Sequence, residues 1–112
     1  MTELPAVPAT IRRYLDAHDR RESRAALDAF TQDATVIDDG HEHHGLEEIR
    51  RWLDKTSTEF SYTRTLVEAA PLDANTWVIR NHLEGDFPGG TVDLGYRFTL
   101  DGDLISKLII AP

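Results

Sequence analysis

"TWVIRNHLEG", residues 76–85, alternates between apolar and polar side chains. One set of alternate positions is apolar except for one amide. It consists of Trp77, Ile79, Asn81 and Leu83. Side chains two residues apart in a β-strand point to the same face, so this spacing predicts a strand with one buried face. "TVDLGYRFTL", residues 91–100, repeats the pattern with Val92, Leu94, Tyr96 and Phe98. Because the proline and glycines of "DFPGG" (86–90) favour a turn, the two stretches predict an antiparallel pair.

Two further long strands are predicted beyond this pair. "EFSYTRTLVEA" (59–69) is rich in aromatic and β-branched residues, and "LISKLIIA" (104–111) follows a turn. The first half of the chain has helical apolar spacing, apart from a short strand predicted at "DATVID" (33–38). Helices and strands in separate halves indicate an α+β fold, here in one domain of residues 1–112. Helices folded over the apolar face of a curved antiparallel sheet form a cone, whose open end is a common place for a small-molecule cavity.

The composition argues against several classes of function. The chain has 112 residues and a formal charge of -8, and an acidic surface repels nucleic acid. It has no cysteine, which excludes disulfides and favours the reducing cytoplasm. We expect no membrane partner, because no run of about 18 apolar residues is present. A secretion signal is not expected either, because the N-terminus lacks a basic segment followed by an apolar run.

Three motifs in combination resemble a known family. They are "FTQDATVIDD" (30–39), "HHGLEEIRRWL" (43–53) and "YRFTLDGDLI" (96–105). Together they resemble the SnoaL-like branch of the nuclear transport factor 2-like superfamily, over nearly the whole chain. The resemblance implies a cystatin-like α+β barrel, or cone, with a deep hydrophobic pocket and a homodimer formed through the sheet. Relatives of this kind include ketosteroid isomerase and polyketide cyclases.

The resemblance implies chemistry at two residues. Tyr14 is similar to the tyrosine of ketosteroid isomerase that stabilises an oxyanion, and Asp38 lies where the general base of the family lies. Leu94 replaces the second, acidic oxyanion donor of that enzyme, which implies a simpler site with one base and one donor. Taken from the residues alone, each group keeps a structural alternative. Asp38 can cap the following turn, and Tyr14 can be a core tyrosine bonded to a backbone carbonyl.

Further residues are predicted around this pair. The predicted pocket lining is Phe30, Val36, Trp52, Phe60, Asn81, Leu94, Tyr96 and Phe98. Aromatic residues on an inward face are more often plain core than pocket wall. His41 and His43, two residues apart in an extended segment, face one side and are expected at the rim, with a solvated loop as the alternative. No familiar metal-binding spacing is present, so no metal site is predicted.

These observations predict a small-molecule pocket protein without a cofactor. The expected activity is that of an acid–base isomerase, cyclase or dehydratase on an apolar carbonyl compound. Asp38 would take or relay a proton, and Tyr14 would stabilise the resulting oxyanion. The alternative is a non-catalytic ligand-binding or dimeric interaction module of the same fold, which the apolar Leu94 favours.

Overall fold

The described part of the chain folds into one six-stranded sheet and three helices. The computed structural model describes residues 7–59 and 61–112. The elements are α1 (Ala9–Asp19), α2 (Ser23–Leu27), β1 (Phe30–Asp38), β2 (His41–His44), α3 (Gly45–Glu59), β3 (Tyr62–Pro71), β4 (Thr76–Gly85), β5 (Thr91–Asp101) and β6 (Leu104–Ala111). The sheet is curved and unclosed, with the order β2-β1-β6-β5-β4-β3, which confirms the predicted α+β class. Within the described residues, no helix is long and apolar enough to cross a membrane.

Three details of the topology determine where the site lies. β1 runs parallel to β6, because the chain between them is long enough for a crossover. α3 lies between β2 and β3 in the chain and packs against β1. β2 and β3 are the two edges of the sheet and do not pair, so the barrel stays open.

A two-residue turn joins β1 to β2. Asp39 and Gly40 both have positive φ, 51° and 79°. A type I′ hairpin turn needs this pair of conformations, and Asp-Gly is a preferred sequence for it. The turn brings His41 opposite Asp38 in the antiparallel ladder. The histidine segment is therefore a strand, as the extended alternative requires, and not a solvated loop. The Asp-Gly dipeptide is the signal that indicates it.

Alternation along β4 and β5 places their apolar side chains on the concave face of the sheet, as predicted. At one end of this face the packing is dense, with Ile79, Phe98 and Leu108 fully buried. The helices cover this end through residues such as Ile11 and Leu53. The other end of the concave face is not filled, and a cavity opens there.

Gly85 provides a test of the register between β3 and β4. A Cβ atom on Gly85 would collide with the Ser61 carbonyl oxygen and lie 2.5 Å from Tyr62 Cβ. We expect Gly85→Ala to lower the free energy of unfolding by about 1–3 kcal/mol, because the strand backbone must move. Gly95→Ala is the matched control, since its Cβ would come no closer than 3.6 Å to the Ala111 carbonyl oxygen. Its effect should stay within about 0.5 kcal/mol in urea denaturation, and equal losses would contradict the register.

Candidate active site

A cavity of about 280 Å³, hereafter the inner cavity, opens at the unfilled end of the concave face. Its volume lies near the lower end of the roughly 300–1,000 Å³ that small-molecule sites occupy. Apolar side chains form most of its wall, namely Trp52, Leu83, Phe87, Val92, Leu94 and Ile110. Polar groups reach the cavity from both the helices and the sheet. This combination suits a mostly apolar ligand with a few polar atoms.

Asp38 ends β1 with its carboxylate at the inner cavity. The indole N–H of Trp52 donates a hydrogen bond of 2.9 Å to its Oδ2 atom. Trp52 lies on α3 and is only 6% exposed, whereas Asp38 is half-buried, so the bond is partly buried. The carboxylate is therefore held by α3 across the cavity, which differs from the alternative of a turn cap.

Tyr14 lies on the inner face of α1, and its ring packs edge-on against Phe30 and Phe98 at centroid distances of 5.4 and 5.7 Å. Its hydroxyl group forms no hydrogen bond with the described residues, and it borders the inner cavity. Burial raises the pKa of Tyr14 well above its ordinary value, and the neighbouring Tyr96 and Asp38 add to the shift. The phenol therefore stays protonated at neutral pH and has a hydrogen bond to offer a ligand.

Tyr96 brings a second phenol to the inner cavity, on the inward face of β5 two residues beyond Leu94. Its ring stacks on Phe98 with the centroids 6.2 Å apart. Burial raises the pKa of Tyr96 far above its ordinary value, so this hydroxyl is also protonated. Among the described residues none hydrogen-bonds to it. The sequence predicts Tyr96 only as part of the wall, yet the structure makes it a candidate donor beside Tyr14.

His18 is one of the polar residues of the site that sequence analysis misses, together with Thr56, Glu59 and Tyr62. It lies one turn after Tyr14 on α1, and its Nε2 atom is 3.3 Å from the Thr56 hydroxyl oxygen. Its Nδ1 atom is 3.2 Å from the hydroxyl oxygen of Tyr62. Burial lowers the pKa of His18 from its ordinary 6.5, although the charge of Asp19 opposes this shift. The spacing of Tyr14 and His18 on one helical face is the signal that could have indicated the second residue.

Next to His18 in the chain, Asp19 forms an ion pair with Arg64. Arg64, with 13% of its side chain exposed, donates to the Asp19 carboxylate through Nε at 2.9 Å and Nη2 at 2.7 Å. Its Nη1 atom donates to Oδ1 of Asn81 at 3.1 Å. Asn81 is fully buried, as its inward position predicts, but it does not border the inner cavity. The amide oxygen of Asn81 accepts the hydrogen bond from Arg64 instead. No described residue accepts a hydrogen bond from Nδ2 of Asn81.

The other predicted wall residues divide into two groups. Those that border the inner cavity are Trp52, Leu94 and Tyr96. Those that lie in the packed core instead are Phe30, Val36 and Phe98, each at most 4% exposed. Phe30 and Phe98 instead make edge-on contacts with the ring of Tyr14, which does border the cavity. Phe60 lies outside the described residues.

His41 and His43 border a second space, the outer hollow, which measures about 640 Å³. The ring of His43 lies against that of Trp52, with the centroids 6.0 Å apart. The residues that border both the outer hollow and the inner cavity are Asp38, Trp52, Thr56 and Glu59, so the hollow forms an approach to Asp38. In the part of the chain that the structure describes, no cluster of three or more potential metal ligands occurs.

Comparison with known proteins identifies the family. The sequence profile of the SnoaL-like domain matches residues 11–107. The chain belongs to the SnoaL-like domain family. A candidate polyketide cyclase from Sinorhizobium meliloti is 31% identical, with 94% of this chain and 95% of that chain covered and a TM-score of 0.87. No curated protein matches the sequence significantly.

Two solved structures with ligands share the SnoaL-like fold. One is a protein with a ketosteroid isomerase-like fold from Catenulispora acidiphila, in complex with trimethylamine. It is 18% identical over 96% of this chain and 87% of that chain, with a TM-score of 0.84. The other is a protein from Mycobacterium tuberculosis in complex with estradiol-17β-hemisuccinate. It is 15% identical over 92% of this chain and 90% of that chain, with a TM-score of 0.77. At these identities the two structures establish the fold and nothing more.

The bond between Trp52 and Asp38 can be tested by stability. We expect Trp52→Phe, which keeps an aromatic ring but removes the donor, to lower the free energy of unfolding by about 1.5–3 kcal/mol beyond the effect of a smaller ring. Trp77→Phe, at a half-buried tryptophan of β4, is the matched control for ring size. Urea denaturation measures both variants. Equal destabilisation would show that the hydrogen bond contributes little.

Proposed function

We propose that this SnoaL-like protein catalyses acid–base chemistry on a small, mostly apolar carbonyl compound, using side chains alone. The observation that carries the proposal is that the Asp38 carboxylate and the Tyr14 hydroxyl border the same inner cavity. A carboxylate is a suitable base for a carbon acid, and a neutral phenol is a suitable donor to the oxyanion that forms. Isomerisation, cyclisation and dehydration of carbonyl compounds all begin with this step.

The proposed reaction starts with the substrate carbonyl oxygen against Tyr14. Asp38 takes a proton from the carbon next to the carbonyl group, and the electrons of the C–H bond form an enolate. Tyr14 donates a hydrogen bond to the enolate oxygen, and Tyr96 provides a second donor close to it. Trp52 holds one oxygen of Asp38, which orients the other oxygen for proton transfer. Protonation of the enolate at another carbon, or its attack on a second group, completes the reaction.

The non-catalytic alternative has one observation in its favour. Leu94 borders the inner cavity where an acidic donor would strengthen an oxyanion site. An apolar residue there suits the holding of an apolar ligand, and two structures of the same fold contain bound small molecules. In this alternative, Asp38 and Tyr14 would orient a ligand and no bond would be broken.

We also propose that the protein is a homodimer through the outer face of its sheet and that it works in the cytoplasm. The outer face carries ionic contacts, such as His82 to Asp93 at 2.6 Å and Arg80 to Glu68 at 3.9 Å. Val67 on β3 adds an apolar side chain that is 52% exposed. The absence of cysteine suits a reducing compartment.

The catalytic proposal predicts hydrogen–deuterium exchange at carbons next to a carbonyl group. With α-tetralone in deuterated buffer, the loss of the α-proton signals in ¹H NMR reports enolate formation without knowledge of the natural substrate. We expect Asp38→Asn to slow enzyme-dependent exchange by about 100-fold or more. Tyr14→Phe should slow it by a similar factor, because one oxyanion donor is lost.

Asp39→Asn is the matched control, because Asp39 is an exposed neighbour with the same charge. Exchange at the wild-type rate is expected for this variant. Saturable binding of α-tetralone without any catalysed exchange would favour the binding alternative. Exchange that survives Asp38→Asn at full rate would reject Asp38 as the base.

A further inference from the structure

We propose that Tyr62 and His18 form a second acid–base pair in the inner cavity, acting on a hydroxyl group of the substrate. The substrate class is then a β-hydroxy carbonyl compound, which loses water, or the corresponding unsaturated carbonyl compound, which gains it. This inference rests on the proposed function, because Asp38 and Tyr14 carry the other half of the reaction. The added assignment is the acid that protonates the departing oxygen.

The hydrogen bonds of Thr56 determine which nitrogen of His18 carries the proton. The Thr56 hydroxyl donates its one proton to the Leu53 carbonyl oxygen at 3.2 Å. It must therefore accept at its contact with His18, so Nε2 of His18 is the donor there. In a neutral imidazole the other nitrogen is then an acceptor. Nδ1 thus accepts the hydrogen bond of 3.2 Å from the Tyr62 hydroxyl.

This arrangement gives the pair two forms that differ by one proton. With neutral His18, the Tyr62 proton points to Nδ1, and the Tyr62 oxygen can accept a proton from a hydroxyl group in the cavity. With protonated His18, Nδ1 donates to the Tyr62 oxygen, and the Tyr62 proton is free to point into the cavity. Both residues border the inner cavity, so either form meets a bound ligand directly. Asp19, next to His18 in the chain, stabilises the protonated form, whereas Arg64 opposes it.

Elimination of water begins when Asp38 takes the proton from the carbon next to the carbonyl group. The enolate then forms against Tyr14. The enolate electrons then form the carbon–carbon double bond, and the C–O bond at the β-carbon breaks with its electron pair on oxygen. That oxygen takes the Tyr62 proton and leaves as water, while Nδ1 of protonated His18 returns a proton to Tyr62. The products are an unsaturated carbonyl compound, water, protonated Asp38 and neutral His18, and addition of water follows the same steps in reverse.

Two probes separate this inference from the proposed function. β-Hydroxycyclohexanone tests elimination, followed by the ultraviolet absorbance of the conjugated ketone, and cyclohexanone tests α-proton exchange alone. We expect Tyr62→Phe and His18→Gln to lower elimination at least about tenfold more than exchange, since a positioned acid contributes about 100-fold or more. His82→Gln is the matched histidine control, because His82 lies on the outer face of the sheet and should leave the ratio of the two rates unchanged.

Equal loss of both rates, or loss of neither, would overturn the assignment of Tyr62 and His18. Exchange without elimination in the wild-type protein would overturn this inference alone, whereas exchange that does not need Asp38 would overturn the proposed function.

A second measurement needs no substrate. Long-range ¹H–¹⁵N NMR should show that the His18 ring is protonated on Nε2 and unprotonated on Nδ1. Thr56→Val should shift the Nε2 signal, and Thr56→Ser should restore it. A wild-type His18 protonated on Nδ1 would contradict the proposed proton path, even if a cavity variant failed to fold.

Discussion

The hydrogen bond from Trp52 to Asp38 connects the two walls of the site. Asp38 is the last residue of β1, and Trp52 lies on the helix that returns over the sheet. The tight turn at Asp39 and Gly40 makes this return possible, because β2 can then run back beside β1 and start α3 at Gly45. The bond thus fixes both the direction of the carboxylate and the position of the helix that closes the inner cavity.

The polar groups of the inner cavity are arranged so that most of them stay neutral. Burial keeps Tyr14 and Tyr96 protonated near pH 7, and it lowers the pKa of His18 and so favours the neutral imidazole. A buried ion without a partner is costly, whereas a neutral donor that meets a ligand oxygen costs much less. Asp38 is half-buried, and its Oδ2 atom accepts a hydrogen bond from one N–H group. Its other oxygen can then take a proton from a ligand. These features favour a ligand whose negative charge develops only during the reaction.

The sequence predicts the sheet well because alternation is a local signal. The inward positions of Ile79 and Asn81 follow directly from the period of two along β4. Asp38 and Tyr14 are predicted through family resemblance, and the structure brings them to one cavity. The pair of Tyr62 and His18 lies 44 residues apart in the chain, and no local pattern connects them. The core positions of residues such as Phe98 were not predictable either, because an inward side chain can fill the core or border a cavity, and only three-dimensional packing decides.

The central claim is that one ligand meets the base and the oxyanion donor in the same cavity. Isotope-filtered nuclear Overhauser measurements with bound α-tetralone test it most directly. The account predicts contacts from ligand protons to the rings of Tyr14 and Trp52, and none to Trp77 at the far end of β4. Ligand contacts confined to Trp77 or to the outer face of the sheet would contradict it, as would contacts to only one of Tyr14 and Trp52 at saturating ligand.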